Sequence, residues 1–77
     1  MRVTLFGIMK DIAAARTLTV DTALPDVGAL KQWLTSKYPA MQQLRSVMIA
    51  VNKAYAADDT ALSPGDEIAV IPPLSGG

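Results

Sequence analysis

In Pro25-Asp26-Val27-Gly28-Ala29-Leu30-Lys31-Gln32-Trp33-Leu34-Thr35-Ser36-Lys37-Tyr38-Pro39, residues 27–38 read as the main helix of the chain. Val27, Leu30 and Leu34, with either Trp33 or Lys37, recur at helical spacing and give the segment an apolar stripe. Asp26 stands where an N-cap belongs, and Leu24-Pro25-Asp26 is turn chemistry. Gly28 in the first turn costs about 0.5–1 kcal/mol relative to Ala, so a soft beginning is expected. Tyr38-Pro39 closes the helix, because the residue before a proline avoids helical angles. A further turn is expected over residues 40–44.

Working outward, both flanks carry the alternation of strands. On the N-terminal side, residues 2–6 read as a strand with Val3 and Leu5 inward and Phe6 outward with Arg2 and Thr4. Residues 10–16 contain three alanines behind Asp11, which predicts a short helix capped by Asp11. Residues 17–20 are rich in β-branched side chains and predict a second strand. On the C-terminal side, residues 46–51 are apolar on both faces, which suits a central strand. Asn52-Lys53 is a turn, residues 54–56 a short strand, and Asp58-Asp59-Thr60 begins a loop. Ser63-Pro64-Gly65-Asp66 is a strong turn signal. Residues 67–71 alternate again, with Ile68 and Val70 inward and Ala69 and Ile71 outward. Proline lacks a ladder donor, so the chain leaves the sheet at Pro72-Pro73. The expected class is α+β: a mixed sheet of about five strands wrapped around one main helix, the β-grasp (ubiquitin-like) arrangement. Residues 1–71 form that domain and residues 72–77 an extended, flexible tail.

The 77 residues leave room for one domain with one small core. Apolar residues are 51% and charged residues 18%, a globular composition. Seven basic and seven acidic side chains cancel, which argues against a nucleic-acid or membrane partner. No apolar run suits a membrane span or a signal peptide, and a cytoplasmic location is expected. Without Cys or His, thiol nucleophiles, imidazole bases and soft-metal sites are excluded. Asp58-Asp59 lacks the further ligands that a calcium loop needs, so no metal site is expected. Trp33 is read as packing, and Lys10, Arg45 and Lys53 as solvated bases.

What remains is the tail, Pro72-Pro73-Leu74-Ser75-Gly76-Gly77. Six extended residues reach roughly 20 Å, enough to enter another protein's active site, and the prolines stiffen the base of the arm. Gly76 and Gly77 carry no Cβ, so they pass a narrow channel and leave the Gly77 carboxylate open to attack. Activation as a mixed anhydride with AMP would let a sulfur donor displace the nucleotide and leave a thiocarboxylate. Phe6 and Ile71, both outward on strands that this sheet sets side by side, are placed to form an apolar docking patch beside the tail's exit; ordinary isolated exposure, or a core position if the parity is off by one, is the other reading.

The segment from Val51-Asn52 through Leu62-Ser63-Pro64-Gly65-Asp66-Glu67 to the closing Pro72-Pro73-Leu74-Ser75-Gly76-Gly77 resembles the C-terminal third of the molybdopterin synthase small subunit, the MoaD family. Phe6, Lys10-Asp11 and the helix over residues 27–34 extend the resemblance along the chain. It implies a non-catalytic sulfur carrier with no stably bound cofactor. Gly77 would be adenylated with ATP by an activating enzyme of the MoeB kind and receive sulfur from a sulfurtransferase. It would then deliver that sulfur to the cyclic pyranopterin precursor inside the synthase large subunit. Two large and two small subunits form the heterotetramer, with the catalytic side chains on the large subunit. The resemblance also places an apolar contact at Tyr55, and the tail residues Pro72, Pro73, Leu74 and Ser75 would line the path into the partner. Carriers for thiamine or cysteine synthesis, which also end in Gly-Gly, and a non-covalent ubiquitin-like interaction module are the alternatives.

Overall fold

The computed structural model describes residues 1–43 and 47–72. Its elements are β1 (Arg2–Leu5), α1 (Ile8–Ala13), β2 (Thr17–Thr19), α2 (Val27–Lys37), a 3-10 turn (Pro39–Gln43), β3 (Met48–Val51), β4 (Ala54–Ala56) and β5 (Glu67–Ile71). The five strands make one sheet in the order β2-β1-β5-β3-β4. β1 and β5 run parallel, and every other neighbouring pair is antiparallel. This is the mixed sheet with one main helix that the sequence predicts.

α2 starts where the chemistry of Asp26 places it, with the carboxylate accepting from the Ala29 N–H at 2.8 Å. Val27, Leu30 and Leu34 are its buried residues. They meet Val3 and Leu5 of β1, Ile49 of β3, and Ile68 and Val70 of β5 in one core that also takes in Met9, Val20 and Met41. The alternation is therefore real on β1 and β5: every second side chain enters this core. Burying side chains of this size stabilises a small domain by about 1.5–3 kcal/mol each relative to exposure.

Two expectations are corrected. α1 begins at Ile8 and ends at Ala13, with Gly7 at its N-cap and no side-chain cap, so Asp11 sits inside the helix. The alanine run does not prolong it, because Ala14 turns left-handed at φ 56° and ends the helix. β3 takes the interior position that its two apolar faces predict, paired with β5 on one side and β4 on the other, while β5 is the middle strand. The start of α2 is tied down rather than soft. The Val27 N–H donates to Thr60 O at 3.0 Å and the Gly28 N–H to Asp58 O at 2.8 Å. A Cβ on Gly28 would lie 3.3 Å from that Asp58 oxygen, so the close approach of the loop explains the glycine. The predicted turn over residues 40–44 is present as Pro39–Gln43; Leu44, Arg45 and Ser46 lie outside the described residues.

Candidate docking face and tail exit

Because β5 occupies the centre of the sheet, the chain leaves from the middle of one end rather than from an edge. The Phe6 N–H donates to Val70 O at 3.2 Å and carries the parallel β1–β5 register one residue beyond the strand. The next residue, Gly7, turns the corner at φ 57°. The ring of Pro72 fills the space beside it: a Cβ on Gly7 would stand 2.7 Å from Pro72 Cγ. The base of the arm is thus seated against the β1–α1 corner. Pro73, Leu74, Ser75, Gly76 and Gly77 lie outside the described residues.

The sheet face turned away from α2 carries an apolar band next to this exit. Register places Met48 opposite Ile71, and the step beyond Leu5–Val70 brings Phe6 alongside Ile71. A second row runs Thr4, Ala69, Ala50, Tyr55 across β1, β5, β3 and β4. Phe6, Met48 and Tyr55 are 47%, 41% and 68% exposed, which makes them a contiguous apolar surface rather than stray side chains. The three residues predicted for docking share this face: Phe6 and Ile71 are neighbours, and Tyr55 stands two strands from Ile71 with Met48 and Ala50 on the strand between. Sequence reasoning places Ala69 on this face with Ile71 but misses Met48 and Ala50. The apolar run of β3 hides its parity, and only the Met48–Ile71 register reveals which side faces out.

The small side chains of Ala50 and Ala69 leave a shallow depression of about 210 Å³, lined also by Thr4, Phe6, Lys53, Glu67 and Ile68. At its far edge, two turns that are separate in sequence are clipped together. Asn52 Nδ2 donates to Asp66 Oδ1 at 3.0 Å, and Asn52 Oδ1 accepts from the Glu67 N–H at 3.0 Å. Asp66 Oδ2 accepts from the Ser63 N–H at 2.7 Å. The Ser63 N–H, and then the Asn52 amide, hold the Asp66 carboxyl below its usual range against a small opposing effect of desolvation.

Elsewhere the polar side chains behave as ordinary surface. Lys31 pairs with Asp58 at 2.7 Å, and Lys37 lies over the half-buried Trp33 ring at 5.0 Å. Trp33 packs against the margin of the core. Among the described residues there is no group of three metal-ligating side chains, and no helix is long and apolar enough to cross a membrane.

A five-stranded mixed sheet in this order, closed over one helix with the chain leaving from its central strand, defines a ubiquitin-like β-grasp protein. The chain belongs to the ThiS/MoaD family: the ThiS family profile matches residues 3–77. The molybdopterin synthase sulfur carrier subunit of Caenorhabditis briggsae is 40% identical over all of this chain and 96% of its own. Among solved structures, SAMP1 of Haloferax volcanii superposes with a TM-score of 0.80 at 29% identity, over 99% of this chain and 97% of that one. A complex of subunits 1 and 2 of the molybdopterin-converting factor of Helicobacter pylori contains a chain that is 27% identical, with a TM-score of 0.68 over 99% of this chain and 96% of that one.

Proposed function

We propose that this protein is the sulfur carrier subunit of a molybdopterin synthase and that the Gly77 carboxylate is its working group. The observation that carries the reading is the juxtaposition at one end of the sheet: the arm leaves at Pro72 beside the apolar band of Phe6, Ile71 and Met48. A partner that covers this band lies where it can receive the arm. The family match, which runs through the tail to residue 77, supports the same reading.

In this account the carboxylate attacks the α-phosphate of ATP on an activating enzyme, pyrophosphate leaves, and an acyl adenylate forms. A sulfur donor delivered by a sulfurtransferase then displaces AMP to give the thiocarboxylate. The arm enters the large subunit of the synthase, transfers its sulfur to the cyclic pyranopterin precursor and returns as the carboxylate. Two such deliveries build the dithiolene. The chain supplies the carrier group and a docking face, and the catalytic side chains belong to the large subunit. Two copies of each would make up the heterotetramer. The test is reconstitution of molybdopterin formation from the thiocarboxylated chain, the large subunit and the precursor. Dithiolene product is expected with the native chain and none with a variant lacking Gly77; product from the truncated variant would refute the reading.

The likeness to SAMP1, a small archaeal modifier protein, favours a second reading, in which the same activated carboxylate modifies other proteins. Conjugates that appear in cells making this chain, together with failure to restore a strain lacking its molybdopterin carrier, would favour that alternative.

A further inference from the structure

Asn52 and Lys53 form the two-residue turn between β3 and β4, closed by the Val51–Ala54 pair, and both have positive φ, 52° and 71°. Such a turn asks for Asn or Asp at its first position and Gly at its second. Asn52 meets that demand, and its amide also clips the turn to Asp66 and Glu67. Lys53 does not meet it. A lysine in the left-handed region is disfavoured relative to glycine, and no contact among the described residues offsets the cost. Among the described residues its side chain makes no hydrogen bond and no ion pair, and the one ion pair is Lys31–Asp58. Glu67 shares the same depression but is not paired with it. Glu67 itself sits at an ordinary strand position and needs no explanation of this kind.

We propose that Lys53 is a specificity-determining residue of the docking face, held in a backbone position that suits glycine while it lines the Ala50–Ala69 depression. The ligand it fits is a carboxylate side chain on the protein that receives the arm, placed beside an apolar side chain that fills the depression. This rests on the reading of the chain as a carrier that docks on the synthase large subunit. The apolar floor and wall of Ala50, Ala69 and Phe6 exclude water from the contact, and the exposed ammonium supplies the charge.

The test measures melting midpoint and affinity for the large subunit on the same full-length variants. Lys53→Gln keeps a long side chain on the left-handed backbone and removes the charge. Its melting midpoint is expected to equal the native one, and its affinity to fall about two- to fivefold at low salt, with the gap closing as salt screens the pair. Lys53→Gly is expected to lose the same affinity while melting higher, a pair of opposite shifts that a merely structural lysine would not produce. Native affinity in Lys53→Gln, or a lower melting midpoint in Lys53→Gly, overturns the proposal. If the native chain itself does not bind the large subunit, the carrier reading fails as well; a null result confined to the variants leaves that reading standing.

Discussion

At the scale of single residues, the Asn52–Asp66 clip joins two loops fourteen residues apart at one edge of the candidate docking face. Replacing Asn52 with Ala removes two side-chain hydrogen bonds and leaves a Cβ in the left-handed region. The expected loss is about 1–3 kcal/mol in chemical denaturation. Asp66 gives the clip a pH dependence. Its folded carboxyl titrates below the unfolded value, so its contribution is present at neutral pH and is lost as acid takes the pH down through the folded value. The melting midpoint of Asp66→Asn is therefore expected to lie below the native one at neutral pH and to converge with it below about pH 4. A constant gap across that range would show that the ionised form is not what matters. Both turns are legible in the sequence from their residue types. The bonds between them are not, because they depend on the approach of β3 and β5, which no local pattern encodes.

At the scale of elements, α2 is the part most open to sequence reasoning. Cap, apolar stripe and stop signal agree with one another, and the helix runs from Val27 to Lys37 as they indicate. Asp26→Ala is expected to cost about 0.5–2 kcal/mol through the lost cap, and Leu30→Ala about 2–5 kcal/mol through the cavity left in the core; equilibrium unfolding in urea measures both. α1 shows where such reasoning fails. Its alanines favour a helix at 13–15, yet Leu5 N–H must reach Arg16 O at 2.7 Å for β2 to begin, and the chain turns left-handed at Ala14 to allow it. Tertiary pairing overrides propensity there. The outer face of β3 was hidden for a related reason: when both faces are apolar, period two carries no sign, and Met48 is placed only by its partner Ile71.

At the scale of the whole molecule, the fold sets Pro72, where the tail begins, beside an exposed apolar surface. The surface has its own test. Phe6 is half exposed, so Phe6→Asp is expected to leave the melting midpoint close to native while weakening binding to the synthase large subunit by about tenfold or more. Unchanged binding would remove the apolar band from the docking account. The arm was legible as Pro72-Pro73-Leu74-Ser75-Gly76-Gly77, but the corner that seats its base was not, since the fit of the Pro72 ring against Gly7 joins the two ends of the chain. The central claim is that the Gly77 carboxylate carries sulfur. Intact-mass spectrometry after incubation with the activating enzyme, ATP and a sulfur donor tests it most directly. A mass gain equal to one oxygen exchanged for one sulfur is expected, placed on Gly77 by fragmentation and absent without ATP. An unchanged mass, with the same enzymes shown to load another carrier, would contradict it.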